Sequence, residues 1–154
     1  MHYAHLNRGY LIAPFGFPEV AEFEAGIQVI NSAAERSAGF VRTIDLDPSE
    51  VRAAFFPPNA DLNRIAATLS VWEDPQHLAE FTHKTIHGRF LARRGDWFEA
   101  MDGPAYVVWP IEAGHCPSLS EAKSAYATLC KNGPSASAFD FKWLATNQDA
   151  HPKS

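Results

Sequence analysis

Between Ile65 and Trp72 the chain alternates strictly. Ile65, Ala67, Leu69 and Val71 fall on one face, and Ala66, Thr68, Ser70 and Trp72 fall on the other. A period of two is that of a strand, here with one aliphatic face and one small, polar face that ends in an indole. Asp74-Pro75 follows, an N-cap residue and a proline suited to the first helical position, so a helix starts there. Looser alternation over residues 3–12 predicts a first strand, with Tyr3, His5, Asn7 and Gly9 on one side and Ala4, Leu6 and Tyr10 on the other. Pro14 to Pro18 is a rigid loop. Beyond it Val20, Phe23, Ile27, Ile30 and Ala34 recur at spacings of three and four, the signature of an amphipathic helix, which Ser37-Ala38-Gly39 ends.

Phe40 to Leu46 predicts a second strand. The stretch from Asp47 to Asn63, with Pro48, Pro57 and Pro58, reads as a long irregular connection of the kind that borders pockets. Gly88 and Gly95 are weak points in the helical stretch that begins at Asp74. Gly103-Pro104 introduces a fourth strand, Ala105 to Ile111. Ser118 stands three residues before Glu121, a capping box that opens a third helix ending near Asn132-Gly133-Pro134. Phe139, Phe141 and Trp143 alternate and predict a short terminal strand.

The order is therefore β-α-β-β-α-β with a C-terminal helix and strand added. It predicts an α+β, ferredoxin-like four-stranded antiparallel sheet with two helices on one face. One domain is expected over residues 1–145, with a flexible tail over 146–154. Leu6, Ile65, Leu69 and Val71 are expected beneath the helices. The face bearing His5, Asn7, Thr68, Ser70 and Trp72 then needs another cover, and a second copy of the sheet supplies one. A homodimer enclosing a cavity, a dimeric α/β barrel, is the expected assembly.

Composition narrows the function classes. Of the 154 residues 46% are hydrophobic and 20% charged, an ordinary globular balance. The net charge of −5 gives a nucleic-acid role little electrostatic support. No apolar run approaches the ~20 residues that span a bilayer, and no signal-peptide pattern opens the chain, so no membrane role and a cytoplasmic location are expected. Cys116 and Cys130 lack metal-type spacing and fit reduced thiols, with Cys130 read as a core residue. Eleven phenylalanines, four tyrosines and four tryptophans hint at an apolar pocket or a dimer face.

Candidate chemistry concentrates after the third strand. His83 and His87 lie four residues apart and share a helix face, a spacing that lets two imidazoles hold one metal ion. The intervening Lys84, Thr85 and Ile86 include no glutamate, so a further ligand would come from His5 or His115; alternatively one histidine points inward and the other is solvated. Arg89, Arg93 and Arg94 suit carboxylates or form a solvated face. Asn7 can hydrogen-bond a bound oxygen species or oxyanion, with His5 on the same face. Trp72 offers either a flat wall for an aromatic molecule or core filling. No nucleophile elbow or glycine-rich phosphate loop is present.

His5-Leu6-Asn7, Leu69-Ser70-Val71-Trp72-Glu73, His87 with Arg93-Arg94-Gly95-Asp96-Trp97-Phe98-Glu99, Ala113-Gly114-His115 with Pro117, and Asn132-Gly133-Pro134 with Ala138-Phe139 resemble the DUF3291 family across nearly the whole chain. That family is similar to the dimeric α/β-barrel superfamily of antibiotic-biosynthesis-type and haem-degrading monooxygenases, spheroidene monooxygenase and chlorite dismutase. Haem-degrading members use an asparagine on the first strand, a tryptophan ending the third and a histidine on the next helix. The resemblance implies those catalytic roles for Asn7, Trp72 and His87, with His87, Arg93, Arg94, Trp97 and Phe98 around a cofactor.

The leading expectation is a monooxygenase-like oxidoreductase acting on a planar apolar molecule. In a haem form His87 ligates iron; in a cofactor-independent form the electron-rich substrate itself reacts with oxygen. A non-redox binding protein, or an isomerase or cyclase with His87 as general base, is the alternative. A metal site at His83 and His87 is the third reading.

Overall fold

The computed structural model describes residues 1–84 and 93–147. Strands β1 (His2–Tyr10), β2 (Phe40–Ile44), β3 (Ile65–Trp72) and β4 (Tyr106–Ile111) form an antiparallel sheet in the order β2-β3-β1-β4. Helices α1 (Ala21–Glu35), α2 (Pro48–Phe55), α3 (Pro75–Phe81), α4 (Arg94–Trp97), α5 (Leu119–Asn132) and α6 (Phe141–Thr146) connect and follow the strands. The ferredoxin-like α+β architecture is the one the alternation and helical periodicities predict.

Local chemistry places most of these boundaries. Asp74 accepts a hydrogen bond from the His77 amide at 2.8 Å, Pro75 takes the first helical position, and α3 starts as expected. Ser118 accepts from the Glu121 amide at 3.1 Å and opens α5. The same Asp-Pro signal acts once more, at Asp47-Pro48. Asp47 accepts from the Ser49 amide at 2.9 Å and starts α2, so the segment 47–63 holds a helix where an irregular connection is expected. The terminal strand is also corrected. Phe139 makes a single bridge to Val108, after which Asp140 caps α6 by accepting from the Trp143 amide at 2.8 Å. Helix capping overrides the short aromatic alternation there.

The register sorts the side chains, because residues paired across antiparallel strands share a face. On β3, Trp72 faces Tyr3, Ser70 faces His5 and Thr68 faces Asn7; on β4, Val108 faces His5 and Tyr106 faces Asn7. The opposite face carries Ala4, Leu6, Leu69, Val71, Val107, Trp109 and Ile111. It is buried under Ala122, Ala125 and Leu129 of α5, with Phe55 of α2 beside them.

Leu6, Leu69 and Val71 therefore lie beneath helices as expected, but these are α2 and α5 rather than the two crossover helices. Those crossover helices, α1 and α3, lie on the His5 face, where Ile30, Ala33 and Ala34 of α1, Leu78 and Phe81 of α3, and Leu144 of α6 pack around Tyr3, Trp72, Val108 and Phe139. Helices of the same chain thus pack on both faces of the sheet, but on the His5 face Asn7 and Ser70 stay half-buried and Thr68 exposed.

A third cluster closes the end of the sheet, where Leu11, Ala13, Val20 and Trp97 pack with Phe23 and Phe98. Leu11 bridges Phe98, and the Ile12 amide donates to the Trp97 carbonyl at 2.8 Å. Cys130 is exposed, because Ala122, Ala125 and Leu129 form the inner stripe of α5 and leave it outside. No helix among the described residues is long and apolar enough to cross a membrane.

Candidate active site on the His5 face of the sheet

β1 runs through the middle of the sheet, so its odd-numbered side chains are flanked on both sides. At the closed end Trp72 is 1% exposed and packs edge-on to Phe40 at 5.3 Å and against Phe81 at 5.4 Å, ring centre to ring centre. Its indole N–H donates to the Ser70 hydroxyl at 3.1 Å. Trp72 is core filling, which corrects its expected place as the wall of a cavity. Asn7 shares its face but pairs four residues further along β1, roughly 13 Å away at strand rise.

His5 lies between them, 8% exposed, with its ring 5.6 Å from Tyr106 and 6.0 Å from Phe141. It has no hydrogen-bond partner among the described residues. Burial pushes its pKa down to about 4, so the imidazole is neutral at pH 7. Tyr106 stacks on Phe141 at 4.8 Å, and its hydroxyl oxygen accepts from the Phe141 amide at 2.8 Å. Burial is the main force raising that phenol to about 12, with the Asp140 charge adding to it and the Phe141 hydrogen bond opposing it. Asn7 is half-buried beside Tyr106, and its carboxamide likewise bonds to no described residue.

Beyond Asn7 the face continues to Gly9. A Cβ there would lie 2.4 Å from the Phe98 ring, so this ring sits directly on the glycine. Phe98 packs edge-on to Phe23 at 4.9 Å and carries the Arg94 guanidinium 4.9 Å from its centre. Asn7 is consequently framed by two aromatic groups, Tyr106 with Phe141 on one side and Phe98 with Phe23 on the other.

Of the residues expected at the site, the structure gathers Asn7, Phe98 and Arg94 on one face with His5. Trp97 is 4% exposed and belongs to the third core cluster. Arg93 is ion-paired to Glu22 and to Asp96 (3.1 Å) and lies over Trp97, so its charge is already matched. His83 follows α3 in a wider π-type turn, exposed, with its ring 5.5 Å from Phe141. His87 and Arg89 lie outside the described residues. Among those described, no group of three or more histidine, cysteine, aspartate or glutamate side chains could hold a metal ion. Tyr106 and Phe141 were not legible as site residues: one needs the β1–β4 register and the other needs α6.

The family model for a domain of unknown function, DUF3291, matches residues 2–154. The chain belongs to the DUF3291 family. No curated protein matches it by sequence. Among solved structures the Rv0793 protein of Mycobacterium tuberculosis is similar, with a TM-score of 0.51 at 12% identity over 75% of this chain and 100% of that one. A Nitrosomonas europaea protein of the antibiotic biosynthesis monooxygenase type has a TM-score of 0.51 at 10% identity over 75% and 94%. SnoaB of Streptomyces nogalater, a cofactor-independent oxygenase, has a TM-score of 0.45 at 16% identity over 72% and 93%. The first two likenesses are of fold: the DUF3291 chain has the ferredoxin-like architecture of the antibiotic biosynthesis monooxygenase type, while its chemistry has to be argued from its own residues.

Proposed function

We propose that this chain is a monooxygenase-like oxidoreductase working without a cofactor on a planar, electron-rich apolar molecule held over Asn7. The observation that carries the reading is His5. Its imidazole and the Asn7 carboxamide, two residues apart on one face, both lack a hydrogen-bond partner among the described residues, which leaves their N–H groups available to a ligand. Together they offer two neutral N–H donors beside the Tyr106 and Phe141 rings, aimed dipoles of the kind that stabilise developing charge. An ionised phenol or enol oxygen of the substrate accepts from both. His5 serves as donor rather than base, since its low basicity disfavours taking a proton. The stabilised carbanion reduces dioxygen; one oxygen atom ends as the product carbonyl and the other leaves as water, with the substrate supplying every electron and both hydrogens.

The described residues do not fit a haem. Trp72 is sealed under Phe40 and Phe81 and cannot flank a macrocycle, and Arg93 is matched by Glu22 and Asp96. Two copies of the chain are proposed to associate through the exposed apolar side chains of Phe17 (51%) and Val29 (68%), a point that sedimentation at micromolar concentration decides.

An oxygen electrode with a panel of hydroxylated polycyclic aromatics tests the activity. Uptake catalysed by the wild type is expected to fall about 10²-fold in Asn7→Ala and His5→Phe. Aromatic binding without oxygen uptake would turn the reading into that of a binding protein. A Soret band on haem reconstitution that His87→Ala abolishes would restore the haem form.

A further inference from the structure

The opposite face of the sheet carries a second unexplained group. Arg8 is 8% exposed, and no carboxylate among the described residues pairs with its guanidinium. Its acceptors are all neutral: the Phe55 carbonyl at 3.3 Å, the Asp102 carbonyl at 3.1 Å, the Tyr126 hydroxyl at 2.6 Å and the Met101 sulfur at 3.7 Å. Its Nε–H is buried with no partner among the described residues. A guanidinium has five donors, and a buried cation without a counter-charge carries a large desolvation cost. The carbonyls and the hydroxyl explain how Arg8 ties α2, α5 and the loop before β4 together. They do not balance its charge, and a thioether is the weakest acceptor of the set.

Next to this cation a cleft of about 290 Å³ opens between Tyr10, Phe56, Pro57, Asn59, Ala60 and Met101. Two of its walls are also neighbours of Arg8: Met101 through the sulfur contact, and Phe56, whose ring centre is 5.6 Å from the guanidinium carbon. Arg64 lies over Tyr10 at 4.4 Å but is paired with Glu99 at 3.0 Å, and Asp61 is engaged by the Asn63 amide. Arg52 adds a positive charge at the rim, donating to the Ala60 carbonyl. The cleft therefore has aromatic walls, a volume at the small end for ligand sites, and an unmatched guanidinium behind one flexible side chain.

We propose that this cleft binds a small planar monocarboxylate, its apolar body against Tyr10, Phe56 and Pro57 and its carboxylate replacing the Met101 thioether on Arg8. Methionine is unbranched and repacks readily, and exchanging a thioether for a carboxylate gives the guanidinium a charge-assisted hydrogen bond. A single accessible edge of one guanidinium suits a monoanion better than a phosphate dianion. The site is on the far side of the sheet from Asn7 and His5 and stands whether or not those residues support oxygenation.

The chain has two methionines, Met1 and Met101, so methyl-¹³C-methionine NMR reads the cleft directly. Sodium benzoate, titrated into the full chain at constant ionic strength, is expected to move the Met101 methyl signal saturably, with a Kd on the order of 1 mM, and to leave Met1 in place. Benzamide and inorganic phosphate should act at least about tenfold more weakly, the first lacking charge and the second the planar body. Ala60→Phe fills the cleft, replaces none of the residues that Arg8 touches, and should abolish the shift while the circular dichroism stays unchanged. Arg8→Lys should weaken benzoate about tenfold; should that variant fail to fold, Ala60→Phe still decides. The proposal is overturned if benzoate gives no saturable shift, if benzamide or phosphate matches it, or if the response survives in Ala60→Phe.

Discussion

Replacing His5 with phenylalanine isolates the buried imidazole at the candidate site. The substitution keeps a planar ring against Tyr106 and Phe141 and removes the proton equilibrium. In the native chain burial lowers the His5 pKa from 6.5 to about 4. Between those values the unfolded chain binds a proton that the native chain refuses. Stability therefore rises with pH across this window, is complete above about 6.5, and is lost as the solution is acidified toward 4. At about 1.4 kcal/mol per pH unit, the full displacement is worth about 3 kcal/mol, a large share of the 5–15 kcal/mol typical of a domain.

Urea unfolding followed by tryptophan fluorescence, at half-unit steps from pH 7.5 to 3.5, measures it. The other carboxylates and histidines titrate alike in both proteins and cancel in the difference. The advantage of His5→Phe over the wild type is expected to grow by about 3 kcal/mol as the pH falls from 6.5 to about 4, and to stay flat above. Parallel stability curves, or an NMR titration placing the His5 ring near 6.5, would refute both the burial argument and the claim that a neutral imidazole faces the substrate.

Further outcomes follow from the same packing. Gly9→Ala puts a Cβ 2.4 Å from two Phe98 ring carbons, and the displaced ring should lower stability by about 1–3 kcal/mol in denaturant titrations; an unchanged midpoint would mean that the ring swings away freely. Tyr106→Phe leaves the Phe141 amide without its 2.8 Å acceptor, a loss of about 1–3 kcal/mol. The same variant should remove the latest tyrosine ionisation seen by ultraviolet absorption in alkali, because burial holds that phenol at about 12. Trp72→Ala empties a site 1% exposed and should lower stability by about 3–5 kcal/mol; a much smaller loss would return the indole to a cavity wall.

What the sequence determined by itself was local. Alternation in 65–72 depends on neighbours two residues apart, and Asp74-Pro75 and Ser118 to Glu121 depend on hydrogen bonds within one helical turn. These signals placed β3 and the starts of α3 and α5, and Asp47-Pro48 carried the same information for α2. The shared face of His5 and Asn7 was equally legible, since strand parity alone sets it.

Tertiary structure decided everything that turns on which surfaces meet. Each side of the sheet carries apolar residues that need cover, so parity names two faces without saying which helices each receives. Only the crossover connections put α1 and α3 on the His5 side and left the other to α2 and α5. That choice made Trp72 a core residue, brought Tyr106 and Phe141 to His5, and left Cys130 in solvent. Arg8 looked like any charged residue on a strand; its burial without a carboxylate exists because segments 47, 94 and 118 residues away converge on it. The strength of a charge or a hydrogen bond is set by how much water its surroundings exclude, and water is excluded by parts of the chain that are distant in sequence.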